Sequence, residues 1–372
     1  MAYLRYTQNA KISGLKTKSF PVLFNSESQV NLLCLNYFLD LVQYSSISSL
    51  KTYAKHLLDF YSQFELETEY ESIDMIDDEY LAAYKQSLLS RIDYENTENY
   101  VSQIMRSVLK YLKWLEDNNY VKNLIGDSAK YRIRIRLVKN GIRHHLIKKE
   151  SKNKNISIAP RSEWIDVIKK YGPSCRRVRF RFELMIDWCK SAGLRTFEVC
   201  ALSIDQLPTR ATVIKAIENK KNVYMTLNVT KGGKSKEIPI NPLLIKKTWD
   251  YIELSRHELV ENLIKRANQK YEKYKDDRLI FLSEKTGRAI LSTSFSNSIR
   301  QAYTSAVEAG DLTKDERVWA HGLRHNFVTN LLIGLDRNNI PRVESVARQS
   351  TRHGSIDAME PYLTSRFNDT FE

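Results

Sequence analysis

Between about Ser26 and Leu124, apolar residues recur at helical spacing and leave almost no strand signal. In Ser49–Tyr61, positions 50, 53, 54, 57, 58 and 61 fall on one helical face, with Ser48 or Ser49 as N-cap. A second helix, Glu98–Asp117, places Val101, Ile104, Met105, Val108, Leu109, Leu112 and Leu115 on its inner side. Weaker helical patterns cover 28–43 and 77–91. Four or five short helices predict a compact all-α domain over 26–125, preceded by a basic N-terminal arm, 1–25, that has no clear period.

The pattern changes after residue 125. Arg132, Arg134 and Arg136 alternate with Ile133, Ile135 and Leu137, which predicts a short strand with one cationic face. From Lys130 to Lys154 ten Lys or Arg stand against one acid, Glu150, so 126–158 reads as a basic linker suited to tracking a polyanion. Helices are expected through Lys169, over 179–192, over 243–274 as one long or broken helix, and near 293–308, 321–334 and 342–348. Strands at 222–230 and 236–240 flank the turn signal Lys231-Gly232-Gly233. The fold class is therefore multidomain, α and α+β. An all-α domain precedes a mixed α/β, mainly helical second domain, 159–372, with a small antiparallel sheet.

Composition narrows the partners. A chain of 372 residues exceeds one compact core, and 42% hydrophobic content supports folded domains. A net charge of +14 calls for a polyanion. No apolar run has the length of a membrane span and no signal-peptide pattern opens the chain, so nucleic acid is favoured over a membrane and the cytoplasm is expected. Cys34, Cys175, Cys189 and Cys200 form no C-x-x-C pair and read as reduced thiols. His144-His145 has no Cys or carboxylate at ligand spacing, so no metal is expected.

The candidate chemistry is concentrated in the second domain. Gly193-Leu194-Arg195-Thr196-Phe197-Glu198 sets an arginine at a helix end, Thr230-Lys231-Gly232-Gly233-Lys234 sets a lysine in a turn, and His321-Gly322-Leu323-Arg324 precedes Arg352-His353-Gly354 and then Tyr362. Cutting a phosphodiester without a metal requires a nucleophile, a clamp on the phosphate and an acid for the leaving oxygen. Tyr362 suits the first role once neighbouring guanidinium groups favour its phenolate. Arg195 and Arg324 can grip non-bridging oxygens in bidentate fashion, and Arg324 is expected in the first turn of a helix, whose dipole favours anions.

These boxes resemble the tyrosine recombinases, or phage integrases. Ala192–Leu202 looks like the family's first arginine box, His321-Gly322-Leu323-Arg324-His325 is similar to its H-x-L-R-H box, and the step from His353 to Tyr362 matches its histidine-to-nucleophile spacing. The resemblance implies a core-binding, DNA-clamping domain at 26–125 and a catalytic domain at 159–372. It implies that Arg195 and Arg324 bind the scissile phosphate with a hydrogen bond from His353, that Lys231 protonates the departing 5′ oxygen, and that His321 assists proton transfer. Tyr362 would attack to give a 3′-phosphotyrosine, and Glu198 would orient the site from behind. No cofactor is implied. The implied partners are double-stranded DNA recombination sites, a homotetramer exchanging strands through a Holliday junction, and accessory DNA-bending or directionality factors, all on the nucleoid. Lys51 and Lys55 on one helix, and Arg106, Lys110 and Lys113 on another, would face the major groove, while Arg132, Arg134 and Arg136 would follow the backbone. Two departures stand out: an arginine, Arg352, precedes His353 where the family has glycine, and the interval from Arg324 to His353 is long, with the extra length assigned around Asp336–Pro341. Rival readings are a type IB topoisomerase-like or telomere-resolving enzyme, and a non-enzymatic DNA-binding protein on the same scaffold.

Overall fold

A computed structural model describes residues 1–12, 14–91, 97–139, 141–147, 158–230, 235–341 and 343–351. The chain divides into two compact units, Met1–Lys152 and Asn153–Glu372.

The first unit opens with strands where the sequence suggested an arm. β1 (Tyr3–Tyr6) pairs with β4 (Pro21–Phe24), and β2 (Ala10–Ile12) pairs with β3 (Leu15–Thr17), both antiparallel. Both ladders keep one register, with Tyr3 opposite Phe24 and Ala10 opposite Thr17. Thr7 N–H to Phe20 O (3.0 Å) and Ser19 N–H to Thr7 O (2.8 Å) carry the pairing between them. Phe20 and Leu23 are buried in the core of the helical unit. Strands of three or four residues are too short for a period-two signal to stand out, which is why 1–25 looks unstructured in sequence.

Four helices follow: α1 (Leu32–Leu41), α2 (Ile47–Phe64), α3 (Asp78–Leu89) and α4 (Glu98–Asp117). Side-chain caps start them: Asn31, Ser46, Asp77 and Thr97 accept from the backbone of Cys34, Ser49, Tyr80 and Tyr100. α2 therefore begins a few residues before the cap expected at Ser48 or Ser49. α2 and α4 are joined inside by His56 Nδ1 and Ser107 Oγ at 2.7 Å and by the Tyr61 and Tyr111 hydroxyls at 2.6 Å.

The expected basic linker is also partly built into this unit. β5 (Ile125–Gly126) pairs in parallel with β6 (Ile133–Arg134), and β7 (Arg136–Val138) pairs with β8 (Gly141–Arg143). Ile133 and Ile135 are buried in the helical core, while Arg132, Arg134 and Arg136 are exposed. The cationic face is as the alternation predicted, but it is shared between two strands with different partners. Leu137, expected inward, is exposed.

The second unit contains α5 (Ser162–Lys170), α6 (Arg176–Ala192), α7 (Thr196–Cys200), α8 (Arg210–Glu218), and the strand pair β9 (Val223–Leu227) and β10 (Lys236–Ile240). It continues with α9 (Pro242–Tyr251), a π-helical stretch Ile252–Arg256, α10 (His257–Gln269), α11 (Ser292–Glu308), α12 (Ala320–Arg337) and α13 (Val343–Thr351). The short α7 and α8 escaped the sequence reading. The β9–β10 ladder ends at Leu227 opposite Lys236, so β9 stops short of the expected residue 230. Trp188 of α6 is fully buried at the centre, with its indole N–H donating to Thr248 Oγ1 at 3.1 Å. Among the described residues, no helix is long and apolar enough to cross a membrane.

Leu23 tests the hairpin's place in the core. It is 0% exposed, and removing a buried leucine side chain costs about 2.7–5 kcal/mol. Leu23→Ala should lower the stability of the first unit by about that amount in urea unfolding. A change below about 0.5 kcal/mol, the range of ordinary surface positions, would return residues 1–25 to the status of an arm.

Candidate active site

α6 ends at Ala192 with Gly193 as its C-cap, in the left-handed conformation at φ 60° and ψ 27°. A Cβ at Gly193 would lie 2.3 Å from the Phe327 ring of α12, so both conformation and space require glycine. The fully buried Leu194 then plugs the core, and Arg195 becomes the N-cap of α7. Glu198, 1% exposed, holds Arg195 twice: Oε2 accepts its backbone N–H at 2.8 Å and Oε1 accepts from Nη1 at 3.1 Å. The Arg195 side chain thus leaves the core braced from behind while staying partly open to solvent.

Arg324 lies on α12. The helix begins at Ala320, which puts Arg324 in its second turn rather than the expected first. Its guanidinium is 1% exposed and donates from Nη1 to the Gly193 carbonyl and from Nη2 to the Thr351 carbonyl. One arginine therefore links the first arginine box to the last residue of α13, immediately before Arg352-His353. Thr351 is itself tied down, its hydroxyl donating to Ala347 O at 2.7 Å. The long interval after Arg324 is mostly helix: α12 runs to Arg337 and α13 begins at Val343, so the break between them falls where the extra length was expected, around Asp336–Pro341.

Gly322 allows the box to close on an aromatic lid. A Cβ there would meet the Trp319 ring at 2.7 Å. Trp319 packs against His325 (5.7 Å between ring centres), and His325 meets His321 edge-on at 4.8 Å. Burial, with the nearby His321 and Arg324 charges adding to it, lowers the His325 pKa to about 4, so this ring is neutral near pH 7. His321 is exposed.

The structure thus brings together Arg195, Glu198, Arg324 and, through α12, His321. Lys231, His353 and Tyr362 lie outside the described residues. Thr351 and Gly193, whose carbonyls seat Arg324, carried no sequence signal of that role, because any residue supplies a carbonyl. Asn326 is a further omission: buried on α12, it donates to Pro160 O at 2.9 Å and fastens the start of α5.

In the first unit the expected DNA-facing cations separate. Arg106 and Lys110 line a cleft of about 310 Å³ between α2 and α4, with Thr52, Gln103 and the buried His56. Lys55 is exposed. Lys51 instead lies over the Tyr6 ring at 5.3 Å, and Lys113 pairs with Asp117 one turn along its helix. His144-His145, without a carboxylate neighbour in sequence, acquires one in the fold: ligand atoms of Asp78, His144 and His145 lie within 4.8 Å of one another. The Leu146 N–H donates to His144 Nδ1 at 3.3 Å, so the proton is on Nε2 and is donated to Asp78 at 2.7 Å.

Residues 162–334 match the Phage integrase family, a segment that includes Arg195, His321 and Arg324 and ends before His353 and Tyr362. No curated protein sequence matches the chain. Several solved structures share its fold at low identity. The XerH site-specific recombinase bound to palindromic difH substrate is 18% identical, with a TM-score of 0.56, covering 90% of this chain and 82% of that one. The lambda integrase (75–356) dimer bound to a COC′ core site is 13% identical, with a TM-score of 0.55 and coverage of 90% and 94%. The Tn1549 transposon integrase in complex with a circular intermediate DNA is 11% identical, with a TM-score of 0.53 and coverage of 89% and 94%. Residues 162–334 are therefore a domain of the phage integrase, or tyrosine recombinase, family.

Proposed function

We propose that the chain is a site-specific DNA recombinase that cuts and rejoins duplex DNA through a covalent 3′-phosphotyrosyl intermediate. The observation that carries this reading is Arg324, a buried cation that joins the Arg195 loop to the end of α13. Arg195 and Arg324 bind the scissile phosphate, with Glu198 keeping Arg195 aimed and His353 adding a hydrogen bond. The Tyr362 oxygen attacks phosphorus as the bond to the 5′ oxygen breaks. Lys231 gives that oxygen its proton, and His321 helps move the proton from the phenol. Rejoining reverses these steps with the 5′ hydroxyl of the exchanged strand, so no external energy source is consumed and no metal or cofactor takes part. Four copies on two paired sites exchange strands through a Holliday junction, in the cytoplasm on the nucleoid, with accessory DNA-bending or directionality factors setting the outcome.

The first unit clamps the DNA. Arg106 and Lys110 in the α2–α4 cleft, with Lys55, face the major groove, where base edges can be read. Lys51 and Lys113 are committed within the protein and contribute less than their positions in sequence suggested. Arg132, Arg134 and Arg136 hold the backbone.

A suicide substrate nicked near the cleavage point tests the reading. Covalent product with paired-site complexes is expected. Covalent product without pairing would favour a topoisomerase-like or telomere-resolving enzyme, and DNA binding with no covalent product would favour a non-enzymatic protein. Tyr362→Phe should bind DNA as the parent does and form no adduct, and an adduct formed by this variant would remove Tyr362 as nucleophile. Arg324→Ala should slow single-turnover cleavage by at least about 10²–10³, the usual effect of losing one charge-assisted stabiliser of the transition state. Replacing Arg132, Arg134 and Arg136 with Gln should lower the log–log salt slope of binding by up to about 2.7, equally for cognate and random duplex. An unchanged slope would leave these arginines as solubilising charge.

A further inference from the structure

The N-terminal hairpin has no role in the mechanism above, yet its charges are arranged in an unusual way. Lys11 and Lys16 are direct cross-strand partners in the β2–β3 ladder. Both are exposed, as is Lys18, while the intervening Thr17 is buried. Like charges placed opposite one another on a ladder repel, and a hairpin selected only for folding would avoid the pair. Nothing in the local sequence offsets them, because no Asp or Glu occurs before Glu27.

The hairpin is held firmly. Phe20 N–H donates to Thr7 Oγ1 at 3.1 Å, beside the two backbone bonds that join its halves. Between its outer half and Ile47, the first residue of α2, lies an open hollow of about 780 Å³. Lys11, Lys16, Lys18 and Asn9 line that hollow. Where the two halves of the hairpin meet, Tyr6 lies under Lys51 of α2. The lysine-bearing strands are therefore fixed at the start of the helix that carries Lys51 and Lys55.

We infer that the β2–β3 half of the hairpin is a second seat for duplex DNA, in which Lys11, Lys16 and Lys18 hold backbone phosphates beyond the segment gripped by α2 and α4. The inference rests on the reading of the chain as a DNA-binding recombinase. Lysine ammonium groups are point charges on flexible stems, so the seat adds affinity without reading sequence. A phosphate between Lys11 and Lys16 turns their mutual repulsion into a bridged pair.

The test uses the full chain with cognate and random-sequence duplexes over a range of KCl concentrations. K11Q/K16Q should lower the log–log salt slope by about 1.8, at about 0.9 per phosphate contact, with equal loss of affinity on both duplexes. A second variant, K11E, places opposite charges across the ladder. It should melt no lower than the parent without DNA while binding DNA more weakly, which separates a lost contact from a damaged fold. A parent-like slope for K11Q/K16Q overturns the seat and leaves the recombinase reading intact. Loss confined to the cognate duplex also overturns it, since the hairpin would then read bases. A parent chain that binds no duplex overturns both readings together.

Discussion

The catalytic unit is organised by one buried positive charge. Taking a guanidinium out of water costs several kcal/mol, and the structure must return that in hydrogen bonds. Arg324 recovers it at two helix C-termini, from the Gly193 carbonyl that caps α6 and the Thr351 carbonyl that ends α13. Such carbonyls lack intrahelical donors and carry the negative end of the helix dipole. A single side chain thereby satisfies two helix ends, and the helix ends hold the cation.

The neighbouring features follow from this arrangement. Gly193 must be glycine because its turn is left-handed and pressed against Phe327, and that turn presents its carbonyl to Arg324. That turn delivers Leu194 to the core and leaves Arg195 at the start of α7, where Glu198 braces it. Two arginines of unlike character result: one buried and fixed by backbone, the other half-open and steered by a carboxylate. His325, kept neutral by burial, carries the Trp319 and His321 rings against it without adding a charge next to Arg324 in the chain.

Much of this was legible in the chain. The boxes around Arg195 and Arg324 could be found because their chemistry needs particular side chains in a particular order, and the long amphipathic helices α2 and α4 declared themselves by periodicity. What escaped notice was whatever depends on backbone or on distant pairing. Thr351 acts through its carbonyl, Asp78 reaches His144 only in the fold, and the strands Tyr3–Tyr6 and Pro21–Phe24 are too short to show a period. Local pairing of charge was equally invisible: Lys51 lies over the Tyr6 ring and Lys113 pairs with Asp117, contacts that the helical period does not announce.

The π-helical stretch Ile252–Arg256 explains why 243–274 read as one helix that was nonetheless broken. Widening a turn adds a residue, and one residue of an α-helix is about 100° of rotation. Before the stretch, Leu244, Ile245 and Tyr251 face the main core of the unit; after it, Leu259 and Leu263 face a separate small cluster with Leu282. At the seam, Arg256 turns inward, donating to Leu279 O at 2.7 Å and pairing with Asp276 at 2.5 Å. The rod is thus geared rather than broken. A continuous backbone changes phase once and serves two hydrophobic cores, the larger of them built around Trp188 and the smaller around Leu282.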